Sequence, residues 1–99
     1  MSTEHVVTRE VRADGAKGRY VIARGPDEAE LSYSVTAPTL VIADHTAVPD
    51  DFRGTGAGLA LVERLVADAR AEGFRIMPLC PFVNATRKKH PEWADVFAV

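Results

Sequence analysis

Apolar and polar residues alternate along the first half of the chain in the manner of β-strands. Residues 5–11 and 19–24 are rich in β-branched and aromatic residues, and the turn-forming segment ADGAKG separates them. Residues 28–36 alternate with period two, which predicts a half-buried strand. One face of this strand carries its apolar residues, namely Ala29, Leu31, Tyr33 and Val35. Three consecutive strands are therefore expected before residue 37.

The next segment, residues 39–48 (TLVIADHTAV), is more continuously apolar than the first three. Such a run predicts a strand that is covered on both faces. Regular alternation would place His45 on the same face as Val41 and Ala43, with Asp44 on the opposite face. The orientation of these two polar side chains matters because both lie near the end of the strand and both are candidate bases, as discussed below.

From Thr55 onwards, the apolar residues recur with the period of a helix and no longer with that of a strand. Apolar residues recur at intervals of three and four, and Gly73 is a suitable helix stop. Residues 74–79 predict a fifth strand, in which Pro78 favours a sheet edge. Pro81 and Pro91 each suit the first position of a short helix. The element order predicts an α+β fold in which a mixed, mostly antiparallel five-stranded sheet packs against a long central helix and short C-terminal helices.

Composition limits the class of protein further. The 99 residues predict one domain spanning residues 1–99, and the net charge of -2 argues against nucleic acid as a partner. Bases outnumber acids only in the C-terminal half, so any basic patch should lie there. The chain has no apolar run long enough for a membrane span, and the segment MSTEHVVTREVR is too charged for a signal peptide. One cysteine suits a reducing compartment, and we expect a cytoplasmic protein.

The segment RGTGAG, residues 53–58, is the most informative stretch for chemistry. Its three alternate glycines follow a strand and open a helix, so the backbone can bend tightly and approach a ligand closely. The helix aims free N–H groups and the positive end of its dipole at the same point, which favours a phosphate or pyrophosphate. The alternative is a flexible loop that only caps the helix. The spacing fits neither a P-loop nor a dinucleotide-binding fingerprint.

Cys80 lies between the fifth strand and a helix that begins with Pro81, which predicts an N-cap position. The helix dipole at this position favours the thiolate form of the side chain. Cys80 could act as a nucleophile in the thiolate form or as a proton donor in the thiol form. The alternative is a small buried apolar residue, the usual role of a lone intracellular cysteine.

His45 is the second candidate for catalysis. A histidine near the end of a strand can act as a base at neutral pH, or it can orient another group through a hydrogen bond. The alternative is a hydrogen-bonded core residue, and Asp44 is a second candidate base. A metal site built from the three histidines and Cys80 has no ligand spacing in its favour, so none is expected.

These motifs together resemble a known family. Residues 53–58 fit the Q/R-x-x-G-x-G/A signature of the GNAT superfamily of N-acetyltransferases. The run HTAVPDDFRGTGAG and the later PLCP are similar to the short stand-alone "minimal" N-acetyltransferases, in which His-Thr-x-Val-Pro precedes the glycine loop and a cysteine motif follows strand five. The resemblance covers residues 28–97 and implies a reduced GNAT-like fold.

The resemblance also implies roles for individual residues. The pyrophosphate of coenzyme A would be held by Arg53, Gly54, Thr55, Gly56, Ala57 and Gly58. The backbone of Ala47 and Val48 would pair with the pantetheine arm, in the manner of an added strand. Asn84, Arg87 and Lys88 would lie where adenosine or phosphate contacts are expected, unless they form a solvated basic face. The general-acid tyrosine of many family members is missing, because Tyr20 and Tyr33 belong to early strands.

Three hypotheses follow for function. The first is an acetyl-CoA-dependent N-acetyltransferase that acts on a primary amine, either a small molecule or a protein, with Cys80 and His45 at the reacting end. The second is a non-catalytic module that binds or senses acyl-CoA. The third is an interaction domain that binds no ligand. Exposed strand edges in so small a sheet predict a monomer or a weak homodimer, and no membrane partner is expected.

Overall fold

A computed structural model describes residues 5–99 of the chain. The first four residues, which belong to the segment considered above for a signal peptide, lie outside this range. Within the described residues, every helix is too short or too polar to cross a bilayer.

The described residues form a five-stranded sheet with two α-helices and two short 3₁₀ helices. The strands lie in the order of the chain, from β1 to β5; the first three pairs are antiparallel and the β4–β5 pair is parallel. The mixed α+β architecture predicted from the pattern is confirmed. The strands are β1 (Thr8–Val11), β2 (Lys17–Arg24), β3 (Asp27–Ala37), β4 (Leu40–Ala47) and β5 (Arg75–Pro78), and the helices are η1 (Asp50–Phe52), α1 (Ala57–Glu72), α2 (Pro81–Lys88) and η2 (Pro91–Val96).

The core lies between one face of the sheet and the helices. The predicted alternation of β3 is confirmed, because Ala29, Leu31 and Tyr33 are buried while Glu30 and Ser32 between them are partly exposed. The apolar stripe of α1 meets this face, and Trp93 and Phe97 complete the cluster from the C-terminal end. Burial of this apolar surface supplies the main stabilisation of the fold.

The opposite face of the sheet is open, which corrects the expectation for β4. Only Val41 and Ala43 of this strand are buried, and its other face carries exposed or half-buried residues. In the sheet, β4 is bordered by β3 along its length and by β5 as far as Ala43, but the face away from the helices is not covered.

A β-bulge interrupts β4 at Asp44. Tyr33 of β3 pairs with Ala43, but the preceding residue, Ser32, pairs with His45, so Asp44 has no partner across the ladder. Residues that pair directly share a face of the sheet. The bulge therefore reverses which residues of β4 face the helices beyond this point, as bulges commonly do.

The C-terminal segment closes the outer edge of β5. The Ala98 amide donates to the Ile76 carbonyl over 2.8 Å, and Phe97 forms a parallel bridge with Ile76. The Arg75 side chain also donates to the Phe97 carbonyl over 2.7 Å. The sheet therefore ends at this side in a short stretch of paired backbone.

Candidate active site

The glycine-rich loop connects the end of β4 to α1 through the single turn η1. Gly54 and Gly56 have φ angles of 77° and 80°, in the left-handed region that favours glycine. Gly56 is the N-cap of α1, so the helix begins at Ala57 rather than at Thr55 as the periodicity predicted. The difference arises because two left-handed residues cannot belong to a right-handed helix.

The loop is fixed from its inner side while its amides remain available. The Thr55 hydroxyl donates to the Phe52 carbonyl over 2.6 Å and accepts the Ala57 amide over 3.3 Å. His5 Nε2 donates to the Thr55 carbonyl over 2.7 Å. Among residues 5–99, no acceptor is found for the amides of Gly58 and Leu59. These N–H groups and the dipole of α1 form a site that favours an anion.

A cavity of about 380 Å³ opens along this loop. It extends from the end of β4 to the first turn of α2, and its wall includes Thr46, Val48, Phe52, Arg53, Gly54, Gly56, Ala57, Gly58, Leu59 and Phe82. We call it the loop groove. A Cβ placed on Gly56 would meet no atom of the protein within 4 Å, so this residue faces open space.

Gly58 has a different role from the other two glycines of the loop. It is helical, and a Cβ there would lie 2.7 Å from Cζ of Phe82. The missing side chain therefore allows the ring of Phe82 to pack against the start of α1. The sequence pattern did not point to Phe82, because a partly exposed phenylalanine carries no motif of its own.

Backbone groups at the end of β4 are exposed beside the groove. β4 pairs with β5 only as far as Ala43, where the Cys80 amide donates to the Ala43 carbonyl over 2.9 Å. Beyond that point β4 continues to Ala47 with only β3 beside it. Ala47 and Val48 thus lie where the two parallel strands diverge, at an edge that an extended ligand could join as an added strand.

Cys80 lies at the point where β4 and β5 diverge. It is the N-cap of α2, followed by Pro81 as predicted, and it is 2% exposed. Its Sγ is 3.1 Å from the hydroxyl oxygen of Thr46, which is hydrogen-bond distance for a thiol and a hydroxyl. Because Thr46 lines the loop groove, its hydroxyl connects Cys80 to that cavity.

The bulge at Asp44 brings Thr46 to this position instead of His45. Thr46 pairs with the buried Leu31 and so faces the helices, whereas His45 pairs with Ser32 and lies exposed on the open face. The predicted orientation of His45, alongside Ala43, is wrong for this reason. Three consecutive polar residues, Asp44, His45 and Thr46, are the sequence signal that regular alternation fails here.

The remaining predicted binding residues lie apart from the groove or are already paired. Arg53 is exposed, and its guanidinium contacts Asp50 at 3.2 Å. Asn84 accepts a hydrogen bond from Arg87 Nε over 2.8 Å, and Lys88 lines a different cavity. The structure therefore does not bring Asn84 and Lys88 to the loop groove. The electrostatics of the groove depend mainly on backbone amides and the helix dipole.

A pair of carboxylates lies close to the loop as well. A hydrogen bond with Asp51 of η1 raises the pKa of Asp27 above its ordinary value.

Among residues 5–99, no three or more histidine, cysteine or acidic side chains are grouped so that they could hold a metal ion.

Comparisons with known proteins bear on the family and the fold of the chain. A family model described as GCN5-related N-acetyl-transferase matches residues 19–96. The NMR solution structure of a GCN5-like protein from Staphylococcus aureus is 26% identical to the chain, with a TM-score of 0.68. The similarity covers 90% of this chain and 87% of the other. No curated protein matches the chain significantly.

Proposed function

Because the chain belongs to the GCN5-related N-acetyltransferase family, we propose that it transfers an acetyl group from acetyl-CoA to a primary amine. The observation that carries this proposal is the loop groove, which runs from free backbone amides at the start of α1 to Thr46, whose hydroxyl contacts the buried Cys80. One end offers donors for a pyrophosphate, and the other end offers the Thr46 hydroxyl with the Cys80 thiol directly behind it.

The residues of the groove fit acetyl-CoA at both ends. The amides of Gly58 and Leu59 would bind the pyrophosphate, and the unpaired edge of Ala47 and Val48 would align the pantetheine arm. When bound, acetyl-CoA supplies an activated acyl group as a thioester. Holding the thioester and the amine together would supply much of the rate enhancement.

Cys80 and Thr46 would act at the thioester end. In one route, the Cys80 thiolate attacks the acyl carbonyl and becomes S-acetylated as the coenzyme A thiolate leaves; the amine then attacks this acetyl group and releases Cys80. In the other route, the amine attacks directly and Cys80 donates its proton to the departing thiolate. Thr46 would orient the Cys80 side chain in both routes, through the contact at 3.1 Å.

His45 would act from the other face of the sheet. β4 and β5 are no longer paired beyond Ala43, and His45 is exposed on the open face at the same part of β4. We propose that the amine approaches from this open face and that His45 removes its proton. This keeps the catalytic role expected from the sequence, but from the side opposite to Thr46.

Replacing His45 with glutamine tests this assignment. We expect kcat/KM for the amine to fall by about a hundredfold, which is the usual contribution of a general base, with unchanged affinity for acetyl-CoA. Asp44→Asn is the matched variant, because Asp44 lies beside His45 and bonds to Ser34 instead. Loss of activity in Asp44→Asn alone would transfer the role of base to Asp44.

A titration of the chain with acetyl-CoA in a calorimeter tests the proposed function as a whole. We expect one-to-one binding of acetyl-CoA and of desulfo-CoA, and much weaker binding of ATP. Amines are then screened as acceptors by measuring the release of the free coenzyme A thiol, and we expect turnover with at least one of them. Binding without turnover against any amine would favour the non-catalytic module. The absence of binding would contradict both functions.

A further inference from the structure

A second cavity, of about 400 Å³, lies at the C-terminal end of α2. It has no lining residue in common with the loop groove. Its wall combines basic residues with an apolar floor, namely Arg75, Arg87, Lys88 and His90 with Pro91, Ala94, Phe97 and Val99. We call it the flank cavity. Its volume is within the range of pockets that hold small ligands.

The three strong cations of the flank cavity have no carboxylate partner among residues 5–99. Arg75 donates to the Phe97 carbonyl, and Arg87 donates to the amide oxygen of Asn84. Lys88 forms no ion pair in the described part of the chain. The arginines that do form ion pairs lie outside this cavity, for example Arg9 with Asp68 and Arg70 with Asp95. Arg12, Lys17 and Arg24 also form no ion pair in the described part of the chain, but the flank cavity brings three such cations together in one wall.

Two nearby groups reduce this positive charge only in part. The C-terminal end of α2 carries the equivalent of about half a negative charge. The carboxylate of Glu92 lies 2.8 Å from Nδ1 of His90, and it pairs with this imidazole when the imidazole is protonated. Neither group contacts Arg75, Arg87 or Lys88 through an ion pair. The flank cavity therefore keeps three cations without an ion-pair partner beside its apolar lining residues.

We propose that the flank cavity binds a small organic phosphate. A phosphate monoester carries nearly two negative charges and three acceptor oxygens, so it can contact several cations at once. The guanidinium fork of an arginine matches both carboxylate and phosphate geometry, but a single carboxylate would leave most of these cations uncompensated. The carbon part of the ligand would cover the floor formed by Pro91, Ala94 and Phe97. This site is additional to the acetyl transfer proposed above and does not depend on it.

The chain contains a built-in reporter for this cavity. Trp93 is the single tryptophan of the sequence, and its ring stacks on His90 with 4.0 Å between ring centroids. Because His90 lines the cavity, a ligand that contacts the imidazole should change the emission of Trp93. Calorimetry under the same salt conditions provides an independent measure of affinity.

The experiment compares phenyl phosphate, inorganic phosphate and benzoate as ligands of the intact chain. We expect phenyl phosphate to bind most tightly, because it provides both the dianion and a ring for the apolar floor. In the double variant Arg87→Gln, Lys88→Gln its affinity should fall roughly tenfold or more, as two charge-assisted contacts are lost. Both side chains are at least partly exposed, so the fold should tolerate these changes.

The control is the double variant Arg12→Gln, Lys17→Gln, which removes the same charge far from the flank cavity. Its affinity for phenyl phosphate should stay within about twofold of the original chain, since only screened long-range attraction changes. Equal binding of benzoate, or equal losses in both double variants, would overturn the proposal. So would a loss of acetyl-CoA affinity confined to Arg87→Gln, Lys88→Gln, because the cations would then serve the loop groove. Failure of acetyl-CoA to bind the original chain would affect only the proposed function.

Discussion

Replacing Gly56 with valine is expected to abolish measurable binding of acetyl-CoA. Gly56 is the N-cap of α1, its φ is 80°, and a side chain there would project into the loop groove. The valine would occupy the space of the pyrophosphate and displace it from the amides of Gly58 and Leu59. Charge-assisted hydrogen bonds contribute about 1.5–3 kcal/mol each, so losing two or more lowers affinity by about a hundredfold or more.

The control for backbone strain lies at the other end of the same helix. Gly73 is the C-cap of α1, its φ is 79°, and a Cβ added to it would meet no atom within 4 Å. Gly73→Val therefore imposes a similar left-handed strain without filling the groove. Both variants should lose similar stability in a thermal melt, but only Gly56→Val should lose acetyl-CoA binding in calorimetry. Equal affinity in the two variants would contradict the placement of the pyrophosphate.

Replacing Cys80 with serine is expected to lower kcat by at least about a hundredfold while acetyl-CoA affinity stays unchanged. Serine can keep the hydrogen bond to Thr46 and the N-cap position of α2, so the structural change is small. What it loses is the nucleophilicity and acidity of the thiol. Steady-state kinetics with a fixed amine measure kcat, and calorimetry measures the affinity.

A second measurement on the original chain separates the two routes. In the absence of an amine, a covalent route should add the mass of one acetyl group to the chain, and Cys80→Ser should remove this adduct. Ala69→Ser is the control for burying a hydroxyl, because Ala69 is a small buried residue of α1 that lies outside the groove lining. Full activity in Cys80→Ser would reduce Cys80 to a packing residue.

The sequence predicts the fold well where one physical rule dominates. β3 follows strict alternation because one of its faces is buried along its length, and α1 follows the helical period for the same reason. Gly73 and Pro81 fix the end of α1 and the start of α2 through backbone preferences that depend on the residue alone. Local rules also place Cys80 correctly, since an N-cap is defined by its immediate neighbours.

The candidate site is less predictable because it depends on relations between distant segments. The bulge at Asp44 exists only in the pairing of β4 with β3, and it exchanges the orientations expected for His45 and Thr46. Similarly, the role of Gly58 appears only when Phe82 of α2 is seen against it. Alternation within one strand contains no information on either contact. Hence the loop that the sequence singles out does border a groove, but the side chain beside Cys80 is Thr46 and not His45.

The paired backbone beyond Phe97 also limits how copies of the chain could combine. Because Ala98 bonds to Ile76, the β5 side of the sheet offers little backbone to a neighbouring chain. Within residues 5–99, β1 is bordered by another strand only on its β2 side. Apart from the short edge of β4 beyond Ala43, which borders the loop groove, β1 is the border of the described sheet that can accept a strand from another copy. Pairing through β1 occupies this border in both copies, so assembly through β1 would stop at two copies instead of extending as a fibril.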